Sequence, residues 1–123
     1  MPVLDVELIR GAAVPERAGL ARRLADAAGA IFGSAPGETW VRVREVATID
    51  YAENASDAAA AGIQPVFVRV LKRAQPDAAA MTLEIEALTS AIAAETGRPR
   101  DQVHVVYEPP AAGRAAFGGR LVR

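Results

Sequence analysis

The stretch that decides the fold is residues 2–9, Pro-Val-Leu-Asp-Val-Glu-Leu-Ile, an apolar run directly behind Met1. Its composition predicts a β-strand that starts with a proline. If Met1 is removed, Pro2 presents a secondary amine, a base with an ordinary pKa of about 8 that no side chain can supply. The first strand of this chain is therefore expected to begin with a catalytic group.

A second copy of the pattern follows in the same chain. An offset of 63 residues aligns like with like at five places: Pro2-Val3 with Pro65-Val66, Arg10 with Arg73, Pro36 with Pro99, Glu38 with Asp101, and Glu45 with Glu108. We therefore predict a duplication within a single domain, 1–123. Its parts are repeat 1 (2–46), a connector (47–64), repeat 2 (65–108) and a C-terminal interface segment (109–123).

Each repeat is expected to form a β-α-β unit. The apolar runs predict strands over 2–9, 39–46, 65–72 and 103–107. The first helix is expected to begin near Pro15 and stop at Gly33, and the second to be capped by Asp77 and to end at Gly97. Right-handed crossovers then give an α+β fold, a four-stranded sheet with both helices on one face.

Three further features of the fold follow from the pattern. Residues 48–64 exceed an ordinary loop and are expected to form either a short helical crossover or, as we favour, the rim of a pocket. The turn-rich end, 109–123, has a possible short final strand and is expected to reach a neighbouring subunit. Apolar residues on both sides of the strands predict that the uncovered sheet face is buried by association, in a cyclic homotrimer.

Composition excludes several classes of function. The chain has 123 residues, of which 51% are hydrophobic and 24% charged, and a formal net charge of -1, so neither nucleic acid nor an anionic membrane is an expected partner. No apolar run is long enough to span a bilayer and no secretion signal is recognised, which predicts a cytoplasmic protein. With no cysteine and one histidine, disulfides and the usual zinc sites are excluded.

These residues together resemble the tautomerase superfamily, which includes 4-oxalocrotonate tautomerase, macrophage migration inhibitory factor and malonate semialdehyde decarboxylase. The resemblance rests on Met1-Pro2 with its strand, the two β-α-β units, the segment 99–103 before the last long strand, and Phe117-Gly118-Gly119. Because the chain carries two units, it is similar to the double-unit members. The resemblance implies a trimeric barrel with active sites beside the N-terminal prolines and near subunit boundaries.

The chemistry of such a site follows from physical principles. An apolar, cationic environment lowers the pKa of the Pro2 amine, which can then take a proton from carbon next to a carbonyl. Arginines stabilise the resulting enolate and bind a substrate carboxylate. We therefore predict a keto–enol tautomerase for a small α-keto or enol acid, with Pro2 as base, Arg73 and Arg42 as its partners, and no metal or organic cofactor.

The resemblance also assigns roles to individual charged residues. Arg73 is similar to the carboxylate-binding arginine, and Glu38 to the water-activating acid, of the decarboxylase and dehalogenase branches. Arg10 is a weaker candidate for substrate binding, since it precedes Gly11 where 4-oxalocrotonate tautomerase has its arginine after the glycine. Pro65, an amide inside the chain, cannot be a base.

Four candidates for substrate binding lie on or beside the predicted strands. Arg42 is expected to project from the same sheet face as Arg44 and Trp40, and salt links from these arginines to Asp5 or Glu7 are an equal alternative. Trp40, His104 and Phe117 are candidate pocket residues whose alternative role is packing or interface contact.

Two other functions stay open. One is a cofactor-free hydratase, dehalogenase or decarboxylase, in which protonated Pro2 and Arg73 polarise the substrate and Glu38 orients water. The other is a non-catalytic oligomeric binding protein of the same fold, for which a retained Met1 would be the signature.

Overall fold

The architecture is a two-layer α+β fold, in which helices cover one face of a sheet and the other face is open. The structure, a computed structural model, describes residues 1–11 and 18–123. Its elements are β1 (Val3–Arg10), α1 (Leu20–Phe32), β2 (Trp40–Ala47), β3 (Val66–Leu71), α2 (Ala78–Thr96), β4 (Val103–Tyr107), β5 (Ala116–Phe117) and β6 (Arg120–Leu121), with short 3-10 helices at Thr48–Asp50 and Arg100–Gln102. The four predicted strands are confirmed to within one residue at each end.

The helix ends follow the predicted signals where the structure describes them. Asp77 caps α2 by accepting a hydrogen bond from the Ala80 N–H, 2.9 Å. Gly33 and Gly97 end the two helices in left-handed conformations with φ of 65° and 70°. The predicted start of the first helix near Pro15 lies outside the described residues.

Four strands form one mixed sheet in the order β2-β1-β3-β4. β1 is parallel to β2, β3 is parallel to β4, and the two halves meet where β1 runs antiparallel to β3. Both helices pack on the same face. Their buried residues share a core with alternate strand residues: Leu4, Val6, Leu8, Val66, Val68, Val70, Val103, Leu20, Leu24, Ala28, Leu88 and Ile92. The predicted fold class is confirmed.

An even offset such as 62 relates the strand residues that face the helices, whereas the predicted offset of 63 does not. Leu4 and Val66 both face the helices and are 62 positions apart, as are Val6 and Val68. At this offset Gln64, and not Pro65, is the counterpart of Pro2. An offset of 63 moves every strand residue to the opposite sheet face, because side chains alternate with a period of two.

The uncovered sheet face is more polar than the sequence pattern predicted. Ion pairs join β1 to β2, with Arg42 at 2.7 Å from Asp5 and Arg44 at 3.3 Å from Glu7. A third pair, Arg69 and Glu108 at 3.1 Å, lies on the other half of the sheet. The expectation that both sheet faces are apolar is therefore wrong for much of β1 and β2, although Trp40, Phe67 and Val106 add apolar surface.

The connector lies at the end of the sheet remote from Pro2. It leaves β2 at Ala47, which pairs with Arg10, and enters β3 at Val66, which pairs with Leu8. One short 3-10 helix is followed by turns, so the only helix in the described connector, which was predicted as a possible helical crossover, has three residues. Within one chain the connector does not form a rim around Pro2.

None of the described helices has the length and apolarity needed to cross a membrane.

Candidate active site

Pro2 lies at one end of the sheet, where four segments converge. Its C=O accepts a hydrogen bond from the Trp40 N–H, 3.0 Å, which joins the start of β1 to the start of β2. On the other side Val3 pairs with Leu71 at the end of β3. Pro2 is partly buried, whereas Met1 is 45% exposed and so accessible for removal. With Met1 attached, the Pro2 nitrogen is an amide.

Arg73 lies at the same end, two residues beyond β3. Its Nε donates a hydrogen bond to the backbone oxygen of Arg123, and its own C=O accepts from the Ala112 N–H, 3.1 Å. No Asp or Glu side chain pairs with it among residues 1–11 and 18–123. Its guanidinium is therefore exposed and bonded only to the main chain.

Glu38 belongs to the turn that leads into β2. The turn is closed by a hydrogen bond from the Glu38 N–H to the Ala35 C=O, 3.0 Å. The side chain of Glu38 is exposed and stands two positions before Trp40, the residue bonded to Pro2. Backbone connectivity thus brings a carboxylate that pairs with no described cation toward the Pro2 end of the sheet.

An aromatic pair covers this end of the molecule. Trp40 and Phe117 meet edge to face, with ring centroids 5.2 Å apart and an interplanar angle of 83°. The Trp40 indole N–H also donates to the Gly37 C=O, 2.9 Å. Phe117 is presented by the hairpin of β5 and β6, which turns at Gly118-Gly119 with φ of 59° and 82°.

The C-terminal segment is anchored to the strand end that carries Arg73. The buried Ala111 donates its N–H to the Lys72 C=O, 2.8 Å. This segment does contain short strands, as predicted, and within one chain it folds back over the Pro2 end. Its predicted contact with a neighbouring subunit stays a prediction.

Arg42 is already engaged by a carboxylate. Its guanidinium forms two parallel hydrogen bonds to Asp5, of 2.7 and 3.0 Å. These bonds, and secondly the charge of Asp5, raise the pKa of Arg42. The alternative that the sequence left open, a salt link to Asp5, is the arrangement seen, and a substrate carboxylate would have to compete with it.

The fold separates Arg10 and His104 from Pro2. Arg10, at the far end of β1, is only 6% exposed, lies on the helix-covered face and pairs with Glu45. His104 pairs in register with Phe67 and packs on its ring at 5.3 Å, again at the far end. Both residues were expected to bind substrate with Pro2, but a single chain does not bring them to it.

Another arginine at that far end was not identified from the sequence. Arg98 donates hydrogen bonds to the Ile9 C=O, 2.9 Å, and to the Gln64 C=O. Burial, and secondly the nearby charge of Arg10, lowers the pKa of Arg98. Its role is to tie the end of β1 to the start of β3, and no pattern in the sequence indicated it.

A polar cluster on the helix-covered face was also not identified from the sequence. Lys72 Nζ lies 2.7 Å from Glu84 Oε1, and the Tyr107 hydroxyl donates to the other carboxylate oxygen. The Lys72 ammonium also lies 4.8 Å from the centre of the Phe32 ring. Burial, and secondly the bond to Glu84, raises the pKa of Tyr107. Strand alternation could have indicated this cluster, since side chains two positions apart share a sheet face and Lys72 follows the buried Val68 and Val70 at that spacing.

Two cavities elsewhere offer less chemistry. An open groove of about 570 Å³ runs between α1 and the turn before β2, and its charged residues, Arg22 and Asp26, pair with each other. A smaller one of about 200 Å³ is lined by Asp5, Arg42 and Arg44, which are ion-paired. No cluster of metal-binding side chains occurs among the described residues. The Pro2 end is therefore the better candidate for a site.

Comparison with known proteins is informative at the level of structure. No family model matches the chain, and no curated protein matches it. Among solved structures, the wild-type F6 fused 4-OT, an asymmetric trimer, is similar with a TM-score of 0.78 and 20% identity, over 98% of this chain and 95% of that one. Pt0534, inactivated by 2-oxo-3-pentynoate, gives a TM-score of 0.76 and 18% identity over 98% and 96%.

A homologue of macrophage migration inhibitory factor from Prochlorococcus marinus gives a TM-score of 0.72 and 14% identity, over 98% of this chain and 99% of that one. At these identities the comparison shows a shared fold only, and the coverage shows that this fold extends over essentially the whole chain. The chain thus has the fold of the fused 4-OT proteins and of macrophage migration inhibitory factor, as its resemblance to the tautomerase superfamily predicted.

Proposed function

We propose that this chain is a cofactor-independent tautomerase in which Pro2, freed by removal of Met1, is the general base for a small α-keto or enol carboxylic acid. One observation carries the proposal: Pro2 lies at the same end of the sheet as Arg73, an arginine that pairs with no described Asp or Glu side chain. The fold, shared with proteins named 4-OT, supports it.

The mechanism needs one proton to move twice. The Pro2 amine takes the proton from carbon next to the substrate carbonyl, the C–H electron pair forms the C=C bond of an enolate, and negative charge develops on oxygen. Returning the proton to oxygen or to another carbon completes the isomerisation. For an enol substrate such as phenylenolpyruvate the direction is reversed: the amine takes the proton from the enol oxygen, and the protonated amine delivers it to carbon. Partial burial of Pro2 disfavours its protonated form, which keeps the amine available as a base.

The charges at the site favour a substrate with one carboxylate. Arg42 is bonded to Asp5 and Lys72 to Glu84, whereas Arg73 is bonded to no described Asp or Glu side chain. The rings of Trp40 and Phe117 offer apolar surface to the rest of the substrate. Phenylenolpyruvate should therefore be turned over with a higher kcat/KM than the dicarboxylate 2-hydroxymuconate.

Two measurements test the proposal. Intact mass spectrometry should show a polypeptide without Met1, and Pro2→Ala should lower kcat/KM for phenylenolpyruvate by about 100-fold or more, the loss expected of a general base. Pro65→Ala is the matched control, because Pro65 is an amide in the chain interior and its replacement should leave kcat/KM unchanged. A retained Met1, or full activity in Pro2→Ala, would refute the proposal and favour the non-catalytic binding protein.

A hydratase, dehalogenase or decarboxylase is the second candidate, favoured by the position of Glu38. Its exposed carboxylate forms no ion pair in the described chain and adjoins the strand bonded to Pro2. Glu38→Gln should abolish hydration of a haloacrylate while sparing the turnover of phenylenolpyruvate. If hydration survives this change, the second candidate is lost.

We propose further that the protein assembles as a homotrimer through its uncovered sheet face. The fused 4-OT proteins of similar fold are described as trimers. Analytical ultracentrifugation should then give three times the chain mass of 12.9 kDa. A monomer at micromolar concentration would contradict the assembly.

A further inference from the structure

The Lys72 cluster stands out because it places charge where the fold favours apolar residues. The side chains of Lys72 and Glu84 are only 19% and 14% exposed, whereas Arg42 and Arg44 on the open face are 72% and 71% exposed. A part-buried ion pair costs desolvation energy that apolar residues of similar volume avoid. Its presence at this position therefore calls for a role beyond stability.

The strand register places Lys72 beside Pro2. β1 and β3 pair from Leu8 and Val66 to Val3 and Leu71, and the next positions outward are Pro2 and Lys72. Even-numbered residues of both strands face the helices, so these two positions lie on one side of the sheet. Opposed Cα atoms of antiparallel strands are about 4.5–5.5 Å apart. The Lys72 side chain therefore leaves the backbone beside Pro2, and its charge, only 19% exposed, is weakly screened by solvent.

We propose that Lys72, Glu84 and Tyr107 set the protonation of the Pro2 amine: the lysine charge favours the neutral base, and the glutamate offsets that charge to a degree that Tyr107 fixes by holding the carboxylate. The three are positioning residues, since they act on the base and not on the substrate. The inference rests on the proposed function for its assumption that Met1 is removed.

Other charged groups face the same end and stay constant in the test. They are Arg73, which follows Lys72 on the β3 end, and Glu38, in the turn before β2. Helix α1 contributes the Phe32 ring, against which the Lys72 ammonium packs. From α2 and β4 come Glu84 and Tyr107 themselves.

The test measures the titration of the Pro2 nitrogen directly, by NMR of protein labelled with ¹⁵N-proline, because the other prolines are amides and do not titrate. Glu84→Gln leaves the lysine charge unbalanced and should lower the pKa of the amine by roughly 0.5–1 unit. Lys72→Met leaves the glutamate unbalanced and should raise it by about as much. Tyr107→Phe changes no charge and should shift it less than either.

Two controls separate charge from packing. Lys72→Arg retains the cation and should restore the wild-type titration. Glu86→Gln removes an exposed carboxylate from the same helix that pairs with no described cation, and it should leave the titration unchanged. Thermal unfolding of each variant shows that it is folded at the temperature of the titration.

The possible outcomes are distinct. Opposite shifts in Glu84→Gln and Lys72→Met, matched by the acid limb of kcat/KM against pH, establish the inference. Shifts of the same sign, or none, overturn it. If the amine titrates as expected but no keto–enol acid is turned over, the proposed function fails and the inference stands. A retained Met1 overturns both.

Discussion

At the scale of single residues, the cations near Pro2 differ in whether they pair with an Asp or Glu side chain among the described residues. Arg42, Lys72 and Arg10 each lie within hydrogen-bonding distance of a carboxylate, whereas Arg73 is bonded to main-chain oxygen. A guanidinium held in this way retains donors for a bidentate bond to a substrate carboxylate. Arg73 is therefore expected to contribute to substrate binding more than to the proton transfer.

Arg73→Ala should raise KM for phenylenolpyruvate by about tenfold or more while kcat changes less, because a charged hydrogen bond to a carboxylate contributes about 1.5–3 kcal/mol. Steady-state kinetics measure both constants. Arg69→Ala is the control, since Arg69 lies on the open face in an exposed pair with Glu108. An equal increase in KM for both variants would show that Arg73 has no special role in substrate binding.

Tyr107 should make the stability of the fold depend on alkaline pH. Its pKa is raised in the folded chain by burial and by Glu84, so the folded state holds its proton more tightly than the unfolded state. The stabilisation is complete below the ordinary tyrosine pKa of about 10 and is lost as pH rises above it. Urea unfolding between pH 8 and 11 should show this loss in the wild type and a weaker one in Tyr107→Phe.

Strand alternation could indicate that Lys72 faces the helices, but the sequence could not show its partners, because the fold brings them together. Glu84 is twelve positions from Lys72, on the next helix, and Tyr107 belongs to the last long strand. The same reason separates Arg10 from Arg73: the two look alike at the ends of their strands, but β1 and β3 are antiparallel, so these ends point in opposite directions.

At the scale of elements, the C-terminal hairpin is held to the site by few contacts. Phe117 packs on Trp40, and short segments of main chain bond Ala111 and Ala112 to the residues after β3. An edge-to-face aromatic pair contributes about 0.5–1.5 kcal/mol beyond the area that it buries. Docking of β5 and β6 over the Pro2 end therefore depends on this pair together with the bond from Arg73 to Arg123.

Phe117→Ala should release the hairpin without unfolding the sheet. Trp40 is the only tryptophan, so its fluorescence reports the change directly, with a shift toward the spectrum of a more exposed indole. Leu121→Ala removes an exposed side chain from the same hairpin and should leave the spectrum as it is. An unchanged spectrum in Phe117→Ala would mean that Trp40 does not depend on the hairpin.

The strands were predictable because each apolar run has a clear length, and the helix ends because Asp77, Gly33 and Gly97 give local signals. The offset between repeats was not. Identical residues in turns, such as Pro36 and Pro99, favour 63, whereas the parity of the buried strand residues requires an even offset such as 62. Burial decides the register of a sheet, and a count of identities does not measure burial.

At the scale of the whole molecule, the two faces of the sheet differ in kind. One is covered by α1 and α2 and is mainly apolar, and the other combines ion pairs with exposed residues such as Val106 and Trp40. A surface of this mixed composition suits an interface between copies, since charged pairs give orientation and apolar groups give burial. The proposed trimer would bury it.

Val106→Arg should therefore weaken the assembly, by placing a charge without a partner on the open face. Leu83→Arg is the control, because Leu83 is still more exposed but belongs to α2, on the opposite side of the sheet. Sedimentation velocity at several protein concentrations should show dissociation for the first variant only. Dissociation of both would move the interface away from the sheet face.

The offset of 62 residues makes Gln64 the internal equivalent of Pro2. A polypeptide divided after Ile63, with proline in place of Gln64, would begin its second fragment at the position that corresponds to the natural start. Two such fragments, paired through β1 and β3, would display an imino group at each end of one sheet. Only the second of them would lie near the half-buried Arg98, so the two amines would differ in basicity within an otherwise symmetric framework.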